Sequence, residues 1–351
     1  MQASDILDFL TTTLPKFKKM KFTDNMTKYQ NTIVVKRMFK KGKTESFTTG
    51  KEIQYNRLTA TNGSSRSVGL GFTAQVDIPN VAEYGTVPWR RKTFNWAFDI
   101  SEIVYNSGES MLLNLNKTRR LPAMGDFIVD VEVDMWKAPV ASSNVDFYPI
   151  PYWIVKSNTA YTTTNEGFNG LAPSGFTTVG GFNPTSDDKW RNYAEQYSAA
   201  TKDDLIRKMR RGAKHTDFMP LVEDTPTYNT GNDLMYATNI PVITTMEELL
   251  EDQNENLGKD LAPMDNSVMF LRAPMNHVKE LLKDTTNPVY QINWGEFKVA
   301  RLTPMWMKEI PVPVNPNQPT VAAVHTISEF NTICTDRRRQ AVFATDTTMP
   351  S

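Results

Sequence analysis

Residues 87–139 constrain the fold more than any other stretch of this chain. VPWRRKTFNWAFDISE runs directly into IVYNSGESMLLNLNKTRRLPAMGDFIVDVEVDMWKAP. In the first part Phe94, Trp96 and Phe98 alternate with Asn95, Ala97 and Asp99 and fall on one face of a strand. The second part reads as a long helix over roughly 102–137, ending at Pro139. It shows no single apolar stripe. Leu112, Leu113 and Leu115 give way to Lys117, Arg119 and Arg120, and these to Asp126, Asp130, Glu132 and Asp134. A surface helix normally has one apolar and one polar face. Blocks of opposite charge suit a helix that meets several neighbours, which points to a subunit of an assembly ahead of an enzyme. Pro122 and Gly125 are expected to bend or break it.

A chain of 351 residues has room for about two to three domains, or one elaborated one, with ample material for a core. It lacks an apolar run of about 18 residues, so no transmembrane helix and no membrane partner are expected. The N-terminus has no positive region followed by an apolar block, which argues against a cleaved signal peptide. The single cysteine, Cys334, excludes an intrachain disulfide framework and fits synthesis in a reducing cytoplasm. Formal net charge is zero, so no whole-chain field pulls toward nucleic acid or anionic lipid. Locally, Lys16, Lys18, Lys19, Lys21, Lys36, Arg37, Lys40, Lys41 and Lys43 dominate their surroundings. They read either as a solubilising arm or as an arm lying on an acidic neighbour or packaged nucleic acid.

Along the chain, residues 1–45 open with a short amphipathic segment. Ser4 or Asp5 would cap it, Ile6, Phe9 and Leu10 would form its face, and Pro15 would end it. The remainder reads as an irregular basic arm. Residues 46–101 read as a two-stranded excursion, out through Ile53 and Tyr55, around TNGSSRSVGLG, and back through 91–100. A lone ribbon is marginal in water, so its aromatic face calls for cover, most naturally by a neighbouring chain. Residues 140–190 are rich in turns, with Phe168, Phe176 and Phe182 as aromatic anchors. Their glycines lack the Gly-Lys-Ser/Thr or G-x-G-x-x-G context of a phosphate site.

A helix is expected at TKDDLIRKMRRG, with Thr201 and Asp204 as a capping box and Gly212 as its stop. Another is expected from Thr244, boxed by Glu247, to Gly258. A short strand at 267–271 and a helix from Pro274 through Leu282 would follow. Strands are expected around 289–292, 298–302 and 305–312, and the closing stretch reads as two strands around a basic turn. The class is α+β.

Catalytic chemistry is not visible. His215, His277 and His325 lie far apart, outside any metal-ligand spacing, and read as structural. Cys334 reads as a small buried hydrophobe. The run Glu247, Glu248, Glu251, Asp252 and Glu255 wraps around a helix and reads as a solvated face and not a metal cluster. Arg337, Arg338 and Arg339 form the sharpest basic cluster. A solvated turn, an interchain ion-pair site and a contact to internal nucleic acid all remain open for it. No catalytic residue, metal or cofactor is assigned.

The order of parts, with the strings KTFNWAFDISEIV, YPIPYWIVKSNTAYTTTNEGFNGLAPSGFTTVGGFNP, TKDDLIRKMRRG, ITTMEELLEDQNENLGKDLAPMD, TTNPVYQINWGEF and FNTICTDRRRQAVFAT, resembles the tailed-bacteriophage major capsid proteins of the Hong Kong 97-like fold. The resemblance covers most of the chain from about residue 85 onward. It implies an N-arm at 1–45, an E-loop at 46–101, and a peripheral domain at 102–224 with its spine helix at 102–137. An axial domain at 225–312 and return strands at 313–351 would complete it. It further implies self-assembly into pentamers and hexamers of an icosahedral shell around double-stranded DNA, in the virion, after synthesis in the bacterial host cytoplasm. A portal, possible decoration proteins and, given the short N-arm, a separate scaffolding protein would be partners. No Lys–Asn–acid set that would cross-link is evident.

In that setting Phe94, Trp96 and Phe98 would pack partly against a neighbouring chain or the N-terminal region. Asp130, Glu132 and Asp134 sit near a helix C-terminus, where the dipole disfavours negative charge. Arg90, Arg91 and Lys92 at the base of the E-loop would pair with them between chains. An encapsulin-like nanocompartment shell is the alternative within the fold, and a soluble enzyme with an unrecognised site is the more distant one.

Overall fold

The computed structural model describes residues 32–39, 42–58, 65, 67–71, 81–99, 101, 115–218, 233–254, 268–271, 273–312 and 320–346. The amphipathic start, the lysines at 16–21, the head of the expected long helix at 102–114 and the expected helix end at Gly258 lie outside them.

In chain order, α1 (Ile33–Met38) leads to β1 (Thr44–Phe47), β2 (Glu52–Leu58), β3 (Ala82–Pro88) and β4 (Arg90–Asp99). Then come α2 (Leu115–Trp136), the one-turn α3 (Ile150–Trp153) and β5 (Tyr193–Gln196). Next are α4 (Arg207–His215), β6 (Leu234–Thr238) and α5 (Ile240–Asn254). The chain closes through β7 (Met269–Phe270), β8 (Ala273–His277), β9 (Val289–Asn293), β10 (Phe297–Leu302), β11 (Lys308–Val312), β12 (Val321–Cys334) and β13 (Ala341–Ala344). The class is α+β, as the mixed patterning requires.

The chain divides into two compact units. One takes the described parts of Met1–Thr32, Lys92–Val131 and Met307–Ser328; the other takes Ile33–Arg91, Glu132–Trp306 and the described part of Glu329–Ser351.

In the first unit β11 pairs antiparallel with residues 323–327 of β12, with Ile310 opposite His325. Strand β4 also pairs with β12. Helix α2 is continuous through Pro122, where a bend or break was expected. An apolar stripe does exist on it: Phe127, Val131 and Met135 recur at the four-residue spacing of one helical face and are buried. The acids between them mask that stripe in the linear sequence.

In the second unit β1 pairs parallel with β10, and β10 pairs antiparallel with residues 330–334 of β12. Helix α1 buries Ile33, Val34 and Met38, so this part of the expected irregular arm belongs to the core. The ribbon strand β2 returns through β3, with Ile53 opposite Val87. The strand at 91–100 expected to close the ribbon pairs with β12 instead, because β3 already fills that place.

A six-stranded sheet of order β5-β13-β9-β6-β8-β7 carries the main core, in which Leu205, Met209, Tyr236, Met246 and Phe343 are buried. Three expected helix ends differ. Residues 202–206 form a π turn before α4, and Asp204 accepts from the Ser198 and Ala199 N–H groups at 2.6 and 3.0 Å instead of boxing Thr201. Helix α4 runs past Gly212, whose missing Cβ leaves room for the Phe343 ring; a Cβ there would lie 2.6 Å from Phe343 Cζ. Helix α5 starts at Ile240, with Asn239 Oδ1 accepting the Val242 N–H at 3.4 Å. Residues 274–277, expected as the start of a helix, lie in β8, because they pair with β6 on one side and β7 on the other.

Candidate assembly interface

The alternation at Phe94, Trp96 and Phe98 puts all three on one face of β4, and that face is covered from within the same unit. Phe94 lies 5.0 Å from Phe127 of α2, ring centre to ring centre. Trp96 is 5% exposed, with the Arg120 guanidinium 5.8 Å from its ring centre. Arg119 donates to the Ala97 carbonyl at 2.9 Å, and Arg120 pairs with Glu309. The cover expected from a neighbouring chain is supplied for Phe94 and Trp96 by the chain's own helix.

The charged clusters expected to pair between chains are largely engaged within their own. Arg90 donates to the Asn144 and Ser143 carbonyls, and Arg91 Nε donates to Glu329 Oε1 at 2.7 Å. Asp134 pairs with Lys137. Glu132 is buried: it accepts the Val34 and Val35 N–H groups and the Trp136 indole N–H at 3.1, 3.0 and 3.2 Å. Burial raises its carboxyl above the usual range against the pull of these donors. Glu132 is therefore a cap for α1 and not an exposed partner for an arginine. Lys92 is half-buried and Asp130 is exposed.

The three arginines also separate. Arg337 is fully buried and donates to the carbonyls of Trp153, Trp190 and Leu171 at 2.7, 2.8 and 2.9 Å, and to Asn192 Oδ1 at 3.0 Å. Desolvation pulls its guanidinium down to about 10. Neither a solvated turn nor a genome contact describes it. Its partners come from three segments, at 153, 171 and 190–192, that no local pattern connects. Arg338 lies 4.1 Å from the Phe168 ring centre, and Arg339 lies 3.7 Å from Glu296 and 3.6 Å from Asp336.

The ribbon of β2 and β3 has two unlike faces. Ile53, Tyr55, Arg57 and Val87 face the loop at 179–190, while Glu52, Gln54, Asn56, Leu58 and Tyr84 face away and are exposed. The root is built around Gly180, whose φ of +60° suits glycine. Its carbonyl accepts the Tyr55 hydroxyl at 2.8 Å, and its N–H donates to the Tyr152 hydroxyl at 2.9 Å. Arg57 pairs with Asp187 at 2.6 Å and lies over Trp190 at 4.7 Å. Toward the far end Leu58 is 78% and Tyr84 67% exposed on the outer face. A ribbon that has only two strands among the described residues, with outward apolar side chains, is a ready contact for another chain.

Among the described residues no group of His, Cys, Asp and Glu is placed to hold a metal ion, and no helix is long and apolar enough to cross a membrane. His215 stacks on Tyr193, with ring centres 6.0 Å apart. Cys334 is buried in β12, and burial pushes its thiol well up. The fully buried pair of Lys156 and Asp284, with Thr286 Oγ1 2.7 Å from the amine, joins two loops within the core. Each of these groups has a structural partner.

No family model matches the chain, and no curated relative does. Solved structures do. The capsid asymmetric unit of cyanophage A-1(L) superposes with a TM-score of 0.58 at 13% identity, covering 97% of this chain and 99% of that one. The chain has a phage-capsid fold. The capsid of a native GTA particle matches with a TM-score of 0.60 at 6% identity over 95% of both chains. The cyanophage Pam1 capsid asymmetric unit matches at 0.54 and 8%, covering 95% of this chain and 97% of that one. The phage-capsid likeness thus covers 95–97% of this chain.

Proposed function

We propose that the protein is the major capsid protein of a tailed bacteriophage, a non-catalytic subunit that assembles into pentamers and hexamers of an icosahedral shell around double-stranded DNA. The likeness to a phage capsid subunit over 97% of this chain and 99% of the other carries this reading. The parts are assigned as N-arm 1–45, E-loop 46–101, peripheral domain 102–224 with its spine at 102–137, axial domain 225–312 and return strands 313–351. The ribbon, the long helix and the six-stranded sheet support these assignments. That sheet also draws in β5 and β13 from outside 225–312.

A separate scaffolding protein, a portal and decoration proteins are the proposed partners. The virion is the proposed location, reached after synthesis in the host cytoplasm. Expression of the full chain, alone and together with a candidate scaffolding protein, followed by sedimentation and electron microscopy, tests the reading. Closed rings or shells are expected. A chain that stays monomeric across salt and concentration in both settings overturns it. Shells loaded with protein cargo and lacking a portal vertex would assign the fold to a nanocompartment instead.

A further inference from the structure

Helices α4 and α5 carry opposite charge at opposite ends of one sheet. Helix α4 packs over β5 and β13, at one end of the six-stranded order, and α5 packs over β8, next to the other edge. At about 4.8 Å per strand the two edges lie roughly 24 Å apart.

Helix α4 buries Leu205 from its entry turn, Met209, Gly212 and Ala213, and turns Arg207, Arg210 and Lys214 outward. With Lys202, Asp203 and Arg211 these line an open groove of about 460 Å³. Arg207 pairs with Asp203 yet stays 66% exposed, and Arg211 pairs with Glu195. Lys202, Arg210 and Lys214 are exposed and have no ion pair among the described residues. Helix α5 holds Glu247, Glu248, Glu251 and Asp252 and no basic residue. Glu247 is half-buried, Glu248 is exposed, and neither has an ion pair among the described residues.

We propose that the basic end of this unit, Arg207, Arg210 and Lys214, docks on the acidic end, Glu247 and Glu248, of the next copy of the chain. The inference rests on the reading of the chain as a ring-forming subunit. A head-to-tail contact uses two different patches, one at each end, and closes into a ring when the rotation between copies allows. Charge complementarity names the occupant: every copy brings both patches in equal number, and the chain as a whole is neutral. Nucleic acid would match the basic end and leave the acidic end unaccounted for. The acidic run that reads in sequence as merely solvated thus gains a partner. The contact orients and steers copies more than it binds them, since single exposed pairs are weak.

The test is a charge exchange in the full chain. Arg210→Glu with Lys214→Glu, and separately Glu247→Lys with Glu248→Lys, are each expected to lower the assembled fraction about tenfold at about 50 mM salt, and less at about 500 mM. The four changes together are expected to restore assembly to within about twofold of the parent. Circular dichroism checks that each subunit folds. Where a reversal does not fold, Arg210→Gln with Lys214→Gln is read instead, with about a threefold loss expected. One-ended changes that assemble like the parent, or a combined variant no better than either, overturn the contact. Normal shells that retain less double-stranded DNA would assign the basic end to nucleic acid and also overturn it. A parent chain that never assembles counts against the capsid reading itself, whereas a parent that assembles while its variants do so equally counts only against this contact.

Discussion

Glu132 Oε1 accepts the Val34 N–H at 3.1 Å, across 98 residues of sequence. Its other oxygen takes the Val35 N–H, so one buried carboxylate serves two backbone donors in the first turn of α1. Removing it leaves both donors without that partner. Glu132→Ala should destabilise the subunit by ~2–3 kcal/mol in urea unfolding. The pH dependence has a definite sign. Burial raises the folded-state carboxyl above its unfolded value, so its contribution is fully present below the unfolded value and is lost as pH rises through the folded one. Stability measured from about pH 4 to 7 should therefore fall more steeply with rising pH in the parent than in Glu132→Gln. Parallel curves would remove Glu132 as the titrating group.

Arg337 should tolerate no substitution. Its planar fork reaches carbonyls on Trp153, Trp190 and Leu171 at once, and the single nitrogen of lysine cannot. Arg337→Lys should cost at least ~3 kcal/mol and lower the melting temperature of the isolated subunit, because buried carbonyls lose donors. Arg338→Lys, which changes a ring contact at a partly open position, should cost less than ~1 kcal/mol in the same melt.

Trp96→Ala should now weaken the subunit itself. Its ring is buried beneath Arg120 beside Phe94, so truncation should cost ~3–5 kcal/mol of folding stability in denaturant unfolding before any assembly step. A variant that folds with parental stability and fails only to assemble would return this face to a neighbouring chain.

Gly180→Ala should loosen the ribbon at its root. A Cβ there would meet the Tyr55 hydroxyl at 2.2 Å and the Trp153 ring at 2.8 Å, at a φ that alanine adopts poorly. The expected cost is ~1–3 kcal/mol, read as faster proteolysis within 52–88 while the rest of the chain stays protected. Uniform protection would show that the root absorbs the extra methyl group.

The sequence by itself determined what depends on neighbours along the chain. The two-residue alternation at Phe94, Trp96 and Phe98 specified a one-faced strand, and the β-rich runs at 289–302 and 321–334 specified the closing strands, because strand formation follows a local period. Tertiary structure alone decided which surface each strand meets and which charges remain outside. The covered face of β4, the ribbon closed by β3 and the buried Arg337 all depend on partners brought from distant segments. Gly212 looked like a helix stop because nothing near it in sequence announces the Phe343 ring. Glu132 and Arg337 looked like surface charges because burying a charge is costly unless its hydrogen bonds are met, and the backbone groups that meet them lie 97 to 184 residues away. Such pairings become visible only when the fold closes.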